Sequence, residues 1–239
     1  MIFTPGLAQF YQEHPLGKVY EDSDITVFFG DRRSEREAVA AAFPDYEIVI
    51  LKQTHSDIIV HSPFVGDPPE ADAHYTQKRK VALCIRTADC IPVTIFDPQS
   101  GTIAAAHAGW RGVENEIVRK LCAQLKKNGI TLGGARAWIG PHIGAANFEV
   151  GRDVGARLES RFEAVRGYSS EMTSLRPHED ETKVRVDLLA IMRAQLSSCG
   201  IERERVLELP IDTVSSQTHE SFRRDRERAG RQISFIALK

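Results

Sequence analysis

Three short stretches hold residues whose types could do chemistry together: Lys52-Gln53-Thr54-His55-Ser56-Asp57, Thr87-Ala88-Asp89-Cys90-Ile91-Pro92 and His107-Ala108-Gly109-Trp110-Arg111-Gly112. Two imidazoles and one thiolate make a three-ligand zinc site whose fourth position stays open to water or substrate. The point halfway between positions 90 and 107 falls inside the turn-forming Asp97-Pro98-Gln99-Ser100-Gly101. Residues equidistant from a hairpin turn face each other across an antiparallel ladder, so Cys90 and His107 are expected as neighbours at the open end of a hairpin. His55 follows an apolar run at 46–51, where a loop is free to converge on the same place. Taken singly, each residue has a plainer reading: a solvated turn histidine, or a small buried thiol.

Other polar residues cluster around these motifs. Arg111 and the amides of the helix that follows it could hold an anion such as phosphate. The plainer reading is that Gly109 and Gly112 shape a strand-to-helix turn, Trp110 fills core and Arg111 pairs with a nearby acid. Asp89 and Asp57 flank the thiol and the first imidazole, where either could orient a ring or carry a proton. Asp72 and His74 precede the strand at 81–85 and could reach the same face. His142 lies in a turn after Trp138-Ile139-Gly140-Pro141, and the tail Phe222-Arg223-Arg224-Asp225-Arg226 reads as a solvated loop or as a lid over an anionic ligand.

The elements that must position these groups can be read from periodicity. Ser34 and Glu37 form a capping box leading into a helix over 38–43, and a strand follows at 46–51. Strands are expected at 81–85, 92–97 and 102–106, with the last two forming the hairpin. Helical spacing covers 114–127, with Ile117, Leu121 and Leu125 on one face and Gly129 as its stop, and further helices fall at 153–165 and 188–199. Strands at 135–139, 206–209 and 232–238 complete the pattern. Hairpins and helical crossovers both occur, which implies an α+β fold of mixed, largely antiparallel sheets layered with helices.

Nothing in the sequence divides the chain, and 239 residues with 42% hydrophobic content suffice for one domain spanning 1–239. A net charge of -2 gives no bulk reason to expect nucleic acid or an anionic membrane as partner. Residues 1–10 carry neither a basic leader nor a long apolar run, and the four cysteines show no disulfide-framework spacing; both point to a cytoplasmic protein. A monomer or homodimer is expected, a choice the sequence does not make.

Taken in order, the three stretches together with Ala71-Asp72-Ala73, Ile139-Gly140-Pro141, Phe148-Glu149-Val150-Gly151, Ser221-Phe222-Arg223-Arg224-Asp225 and Gly230-Arg231 resemble the polyphenol oxidase or laccase-domain (YfiH-like) family. That resemblance implies zinc held by His55, Cys90 and His107, in a pocket for purine nucleosides and phosphate. The activities it implies are phosphorolysis of adenosine, inosine or methylthioadenosine, and adenosine deamination. Arg111, Asp89 and Asp57 would then serve the reaction, and Gln53, Asp72, His142, Arg223 and Arg224 would line the substrate. A copper oxidase fits less well, because multicopper sites need tight clusters of histidine and the eight here are scattered. Some members of the family look like cell-wall precursor editing factors. The residues also admit a cysteine hydrolase or deamidase built on Cys90 and His107, and a binding module with a structural zinc that His142 would have to close. The chain departs from the family pattern at 24–31, at His142 and over 210–217, three places expected on the pocket wall.

Overall fold

The computed structural model describes residues 10–165 and 173–239, so most of the amino-terminal segment read for a leader lies outside the described residues. The first part of the chain gives β1 (Gln12–His14), β2 (Gly17–Glu21), β3 (Ile25–Gly30), α1 (Arg36–Ala42), β4 (Glu47–Ile50), β5 (Ile59–His61) and β6 (Ala73–Thr76). The middle gives β7 (Val81–Thr87), β8 (Ile91–Asp97), β9 (Thr102–Ala108), α2 (Trp110–Glu114), α3 (Ile117–Lys127) and β10 (Arg136–Ile139). After these come β11 (Glu149–Gly151), α4 (Arg152–Val165), β12 (Leu175–Arg176), β13 (Lys183–Val186), α5 (Leu188–Ser198), β14 (Val206–Glu208), α6 (Phe222–Asp225) and β15 (Gln232–Leu238).

One large sheet has the order β1-β2-β3-β15-β7-β4 and the other β14-β10-β8-β9-β6-β5, while β11, β13 and β12 form a small third sheet. Parallel pairs occur at β4/β7, β5/β6 and β10/β14, and the remaining pairs are antiparallel. This is the expected α+β arrangement of mixed sheets with helices.

Strand alternation sets the layers, because successive side chains point to opposite faces. On β7, Val81, Leu83 and Ile85 join Phe96, Ile103 and Trp138 in the core between the two large sheets. The intervening Ala82 and Cys84 pack outward with Phe28 and Phe235 against Val39 of α1. On β9 the alanines 104, 106 and 108 face the opposite way, against Val113, Ile117 and Leu121 of the helical layer. The order is therefore α1, sheet, sheet, then the layer of α2 to α5. Burying each large apolar side chain at these contacts stabilises the fold by about 1.5–3 kcal/mol.

Three local expectations need correction. Ser34 does not cap α1: the helix has Glu35 at its N-cap with no side-chain bond there. Instead Ser34 Oγ donates to the Asp31 carbonyl and accepts from the N–H of Ile233, tying the loop to β15. The helix expected over 114–127 begins earlier, at Trp110, and is broken at Glu116, whose φ of 59° takes it out of the helical ladder. The strand expected over 102–106 runs on to Ala108, which places His107 inside the ladder.

Candidate metal centre and substrate cavity

The hairpin pairs Asp97 with Thr102 and Pro92 with His107, a register two residues away from the expected pairing of Cys90 with His107. Cys90 is two residues before Pro92 and so on the same face, which makes it the diagonal neighbour of His107. The contact survives the shift because the residue across from Cys90 is Gly109. A Cβ there would stand 2.9 Å from both Cys90 Sγ and His55 Cδ2, so the missing side chain is the space the site occupies. Odd positions of β9 and even positions of β8 face the inter-sheet core, and the two ligands emerge at its open end.

His55, Cys90 and His107 bring one ligand atom each to within 4.8 Å of one another, the one such group among the described residues. His55 Nε2 lies 3.8 Å from Cys90 Sγ, and the two imidazole centroids are 4.9 Å apart. A tetrahedral zinc ion spaces nitrogen and sulfur ligands by about 3.5 Å, so two imidazoles and a soft thiolate fit that ion in number, kind and position. His55 is exposed, Cys90 half-buried and His107 buried, so the centre opens on the His55 side.

Asp72 organises this shell. Its carboxylate is fully buried and accepts from His107 Nδ1 at 2.7 Å, from the N–H groups of Thr54, His55 and Ser56, and from the Ser56 hydroxyl. His107 also donates its backbone N–H to the Asp72 carbonyl. One carboxylate thus fixes the ring that must present Nε2 and holds the backbone of the other histidine, which sits at a left-handed φ of 59°. Burial would push the Asp72 carboxyl up, but the bonds from His107 and Ser56 outweigh it and hold the group at about 2. Burial would likewise raise the Cys90 thiol, yet His107 and His55 pull it down to about 6. Burial works against the His107 cation, while the Cys90 thiolate and Asp72 raise it to about 9.

A cavity of about 710 Å³ adjoins the centre, with Gln53, Asp89, Trp110, Arg111, Phe148 and Arg223 on its wall beside the three ligands. Arg111 stacks its guanidinium 4.5 Å from the Trp110 ring centroid, and Arg223 lies 5.6 Å from that of Phe148. Arg223 also donates to the carbonyls of Asn147 and Glu149, which fixes its direction. Asp89 accepts from Thr213 Oγ1 and the N–H of Arg223, both at 2.6 Å, and so pins the tail against the entry to β8. Gln53 exchanges two 2.8 Å bonds with the backbone of Arg86.

Other expected site residues go elsewhere. Asp57 pairs with Lys120 and is not on the cavity wall. Asp72 lies behind the ligands as their support, away from the substrate space. His142 is buried and donates Nδ1–H to the Gly140 carbonyl at 2.8 Å, outside both the ligand group and the wall. Arg224 donates to the carbonyls of Thr213, Val214, Ser216 and His219 and pairs with Asp225, pinning a loop. Residues 24–31 and 210–217 are likewise absent from the wall, so the departures from the family pattern fall outside this cavity. Arg86 and Ile143, which lie in none of the sequence motifs, also line it, as do Phe222 and Arg226 of the charged tail and Arg231 of the Gly230-Arg231 motif.

A family model for multi-copper polyphenol oxidoreductase laccases matches residues 8–239. The chain belongs to this family. A purine nucleoside phosphorylase of Clostridium acetobutylicum is 32% identical to this laccase-family chain over 195 residues, covering 81% of it and 78% of the relative. An adenosine deaminase, RL5, from an unknown prokaryotic organism is 30% identical over 173 residues, 68% of this chain and 63% of its own. The crystal structure of YlmD from Geobacillus stearothermophilus superposes with a TM-score of 0.84 over 96% of this chain and 99% of the other, at 22% identity, a likeness of fold. Among the described residues of this family member, no helix is long and apolar enough to cross a membrane.

Proposed function

We propose that the chain is a cytoplasmic, zinc-dependent purine nucleoside enzyme, acting by phosphorolysis of adenosine, inosine or methylthioadenosine and by deamination of adenosine at the same site. The observation that carries this reading is the convergence of His55, Cys90 and His107 at the edge of a cavity whose wall alternates guanidinium and aromatic groups. The names of the phosphorylase and deaminase relatives support it, and the family match over residues 8–239 supports one domain. The donor set favours zinc over a copper cluster, which would need additional histidines close by.

Zinc at this triad would supply a Lewis acid with one position open to water or substrate. The rest of the chemistry falls to the chain. Phe148, Phe222 and Ile143 offer an apolar wall for the purine. Arg111 and Arg223 hold phosphate, whose oxygen forms a bond to the ribosyl C1′ as the bond to the purine nitrogen breaks and the base leaves with a proton. In deamination, water adds at C6 and ammonia leaves, and Asp89, the carboxylate on the wall, has lone pairs left to take the proton. Asp72 keeps His107 in the tautomer that presents Nε2 outward.

Metal analysis together with a nucleoside turnover screen, run with and without phosphate, tests the reading. Stoichiometric zinc and phosphate-dependent release of adenine or hypoxanthine are expected; full turnover by metal-free protein would overturn it. A cysteine hydrolase is the second reading, favoured by the lowered Cys90 thiol. An alkylating agent separates the two: a ligating thiolate is protected until a chelator is added, whereas a free nucleophile reacts at once.

A further inference from the structure

Five arginines contribute to the cavity lining, Arg86, Arg111, Arg223, Arg226 and Arg231, and Arg231 also turns one N–H group back to the carbonyls of Ala229 and Gly230. No carboxylate of the described residues forms an ion pair with any of them, although nine other arginines are so paired. Asp89, the carboxylate on the wall, already accepts from Thr213 and from the Arg223 backbone. A phosphate group brings about two negative charges and is satisfied by one or two bidentate guanidiniums. Arg111 and Arg223 therefore account for one phosphate, and a cluster of five implies that the ligand brings a second anionic group.

The geometry of the strands says where that group sits. Ile233 of β15 pairs with Arg86 of β7, and Arg231 is two residues before Ile233. Arg86 and Arg231 are thus diagonal neighbours on one face of the sheet end, close enough for two long side chains to converge. The Arg86 backbone is clamped by Gln53, so truncating its side chain leaves the fold intact. Both arginines also line a neighbouring groove of about 920 Å³, which marks them as the rim between the two spaces. Beyond the rim the groove presents Glu35, Glu47, Asp67 and Glu70 against Arg36 and Lys52, so the cationic surface ends there.

The geometry points to a second anion subsite, formed by Arg86 and Arg231, that binds the phosphoryl group of a nucleoside 5′-monophosphate whose base and ribose occupy the cavity. This rests on the purine nucleoside reading of the same site and narrows its substrate class from nucleosides to nucleotides. Phosphorolysis of adenosine monophosphate would break the bond from N9 to C1′, join C1′ to an oxygen of inorganic phosphate, and release adenine, protonated as it leaves, with ribose 1,5-bisphosphate. Deamination would add water at C6 and release ammonia and inosine monophosphate.

The test compares kcat/KM for adenosine, adenosine monophosphate and adenosine diphosphate in the zinc-loaded protein and in Arg86→Ala and Arg231→Ala variants, with phosphate titrated separately. Calorimetry of adenosine and its monophosphate in phosphate-free buffer runs alongside. The monophosphate is expected to exceed adenosine at least about tenfold, and each variant to cut that ratio about tenfold, the share of one bidentate contact. Adenosine turnover with no preference for the monophosphate overturns the subsite and leaves the nucleoside reading standing. A raised KM for inorganic phosphate in the variants, with the ratio unchanged, also overturns it, since the pair would then serve free phosphate. So does a tenfold preference for the diphosphate. Absence of all turnover sinks the nucleoside reading, and calorimetry then decides the subsite: tighter monophosphate binding that both variants weaken supports it, equal binding overturns it.

Discussion

The ligand shell and the arginine rim lie on one cavity and are built on opposite principles. Around His55, Cys90 and His107 the polar groups are turned inward onto a buried partner, and Asp72 alone accepts five hydrogen bonds. At the rim Arg86, Arg226 and Arg231 are exposed residues with no carboxylate partner among the described residues, and the Arg231 guanidinium bonds only to the carbonyls of Ala229 and Gly230. The shell is preorganised and is strongly destabilised when one member is removed; the rim carries charge that a ligand completes. Chemistry that must be placed to within a fraction of an ångström belongs to the first region, and recognition of an anion that arrives with its own charge belongs to the second.

The sharpest way to break this contrast is Cys90→Ala. Loss of the soft ligand is expected to abolish stoichiometric zinc and lower turnover about 10³-fold, in line with the several kcal/mol a bound metal supplies; metal content and kcat read it out. Asp72→Asn comes next. The amide cannot accept from all of its donors, so zinc affinity should fall about 10–100-fold and the thermal midpoint should drop as well, measured by competition with a chromophoric chelator and by calorimetry. Arg111→Ala should raise the KM for phosphate about tenfold with the zinc content intact, whereas Arg224→Ala, which unpins the loop at 213–219, should lower the thermal midpoint with the zinc content unchanged.

Two effects of pH sharpen the comparison further. With His107 raised to about 9 and Cys90 lowered to about 6, the metal-free shell is a thiolate beside an imidazolium at neutral pH. Zinc must displace the His107 proton, so its affinity should rise about tenfold per pH unit from 6 to 9 and level off above, with about one proton released per ion at pH 7.5. Titration calorimetry in buffers of different ionisation enthalpy counts that proton. A smaller effect comes from His74, which is fully buried against Ser62 and whose pKa burial lowers from 6.5 to about 3. The unfolded chain takes up this proton below pH 6.5 and the folded one does not, so stability should fall by up to about 1.4 kcal/mol per pH unit between 6.5 and 3. A His74→Gln variant should lose that part of the slope, measured by urea unfolding at pH 6.5, 5.5 and 4.5.

Much of the centre is legible in the order and types of the residues. Residue chemistry and the family motifs name the three ligands, and the symmetry of the 97–101 turn brings two of them together even though the ladder is displaced by two positions. The displacement is invisible in the sequence because a turn of given composition can close at more than one register, and here Gly109, lacking a side chain, lets Cys90 lie diagonally to His107. Sequence proximity points to Asp57 and Asp89 as the carboxylates that orient an imidazole. The carboxylate that does so is Asp72, delivered across the sheet by the pairing of β6 with β9. The capping box at Ser34 fails for a similar reason: a local partner loses to a tertiary one at Ile233.

Residue types and short-range periodicity determined what depends on the chain alone: which side chains can bind a metal, which stretches alternate, and that helices and strands must share one layered fold. The tertiary structure decided what depends on convergence. It assigned Asp72 to the shell, turned His142, Asp57 and Arg224 away from the cavity, and set Arg86 beside Arg231 across adjacent strands. The physical reason is that hydrogen-bond and charge satisfaction is settled among all groups brought within reach, and strands distant in sequence provide most of those groups.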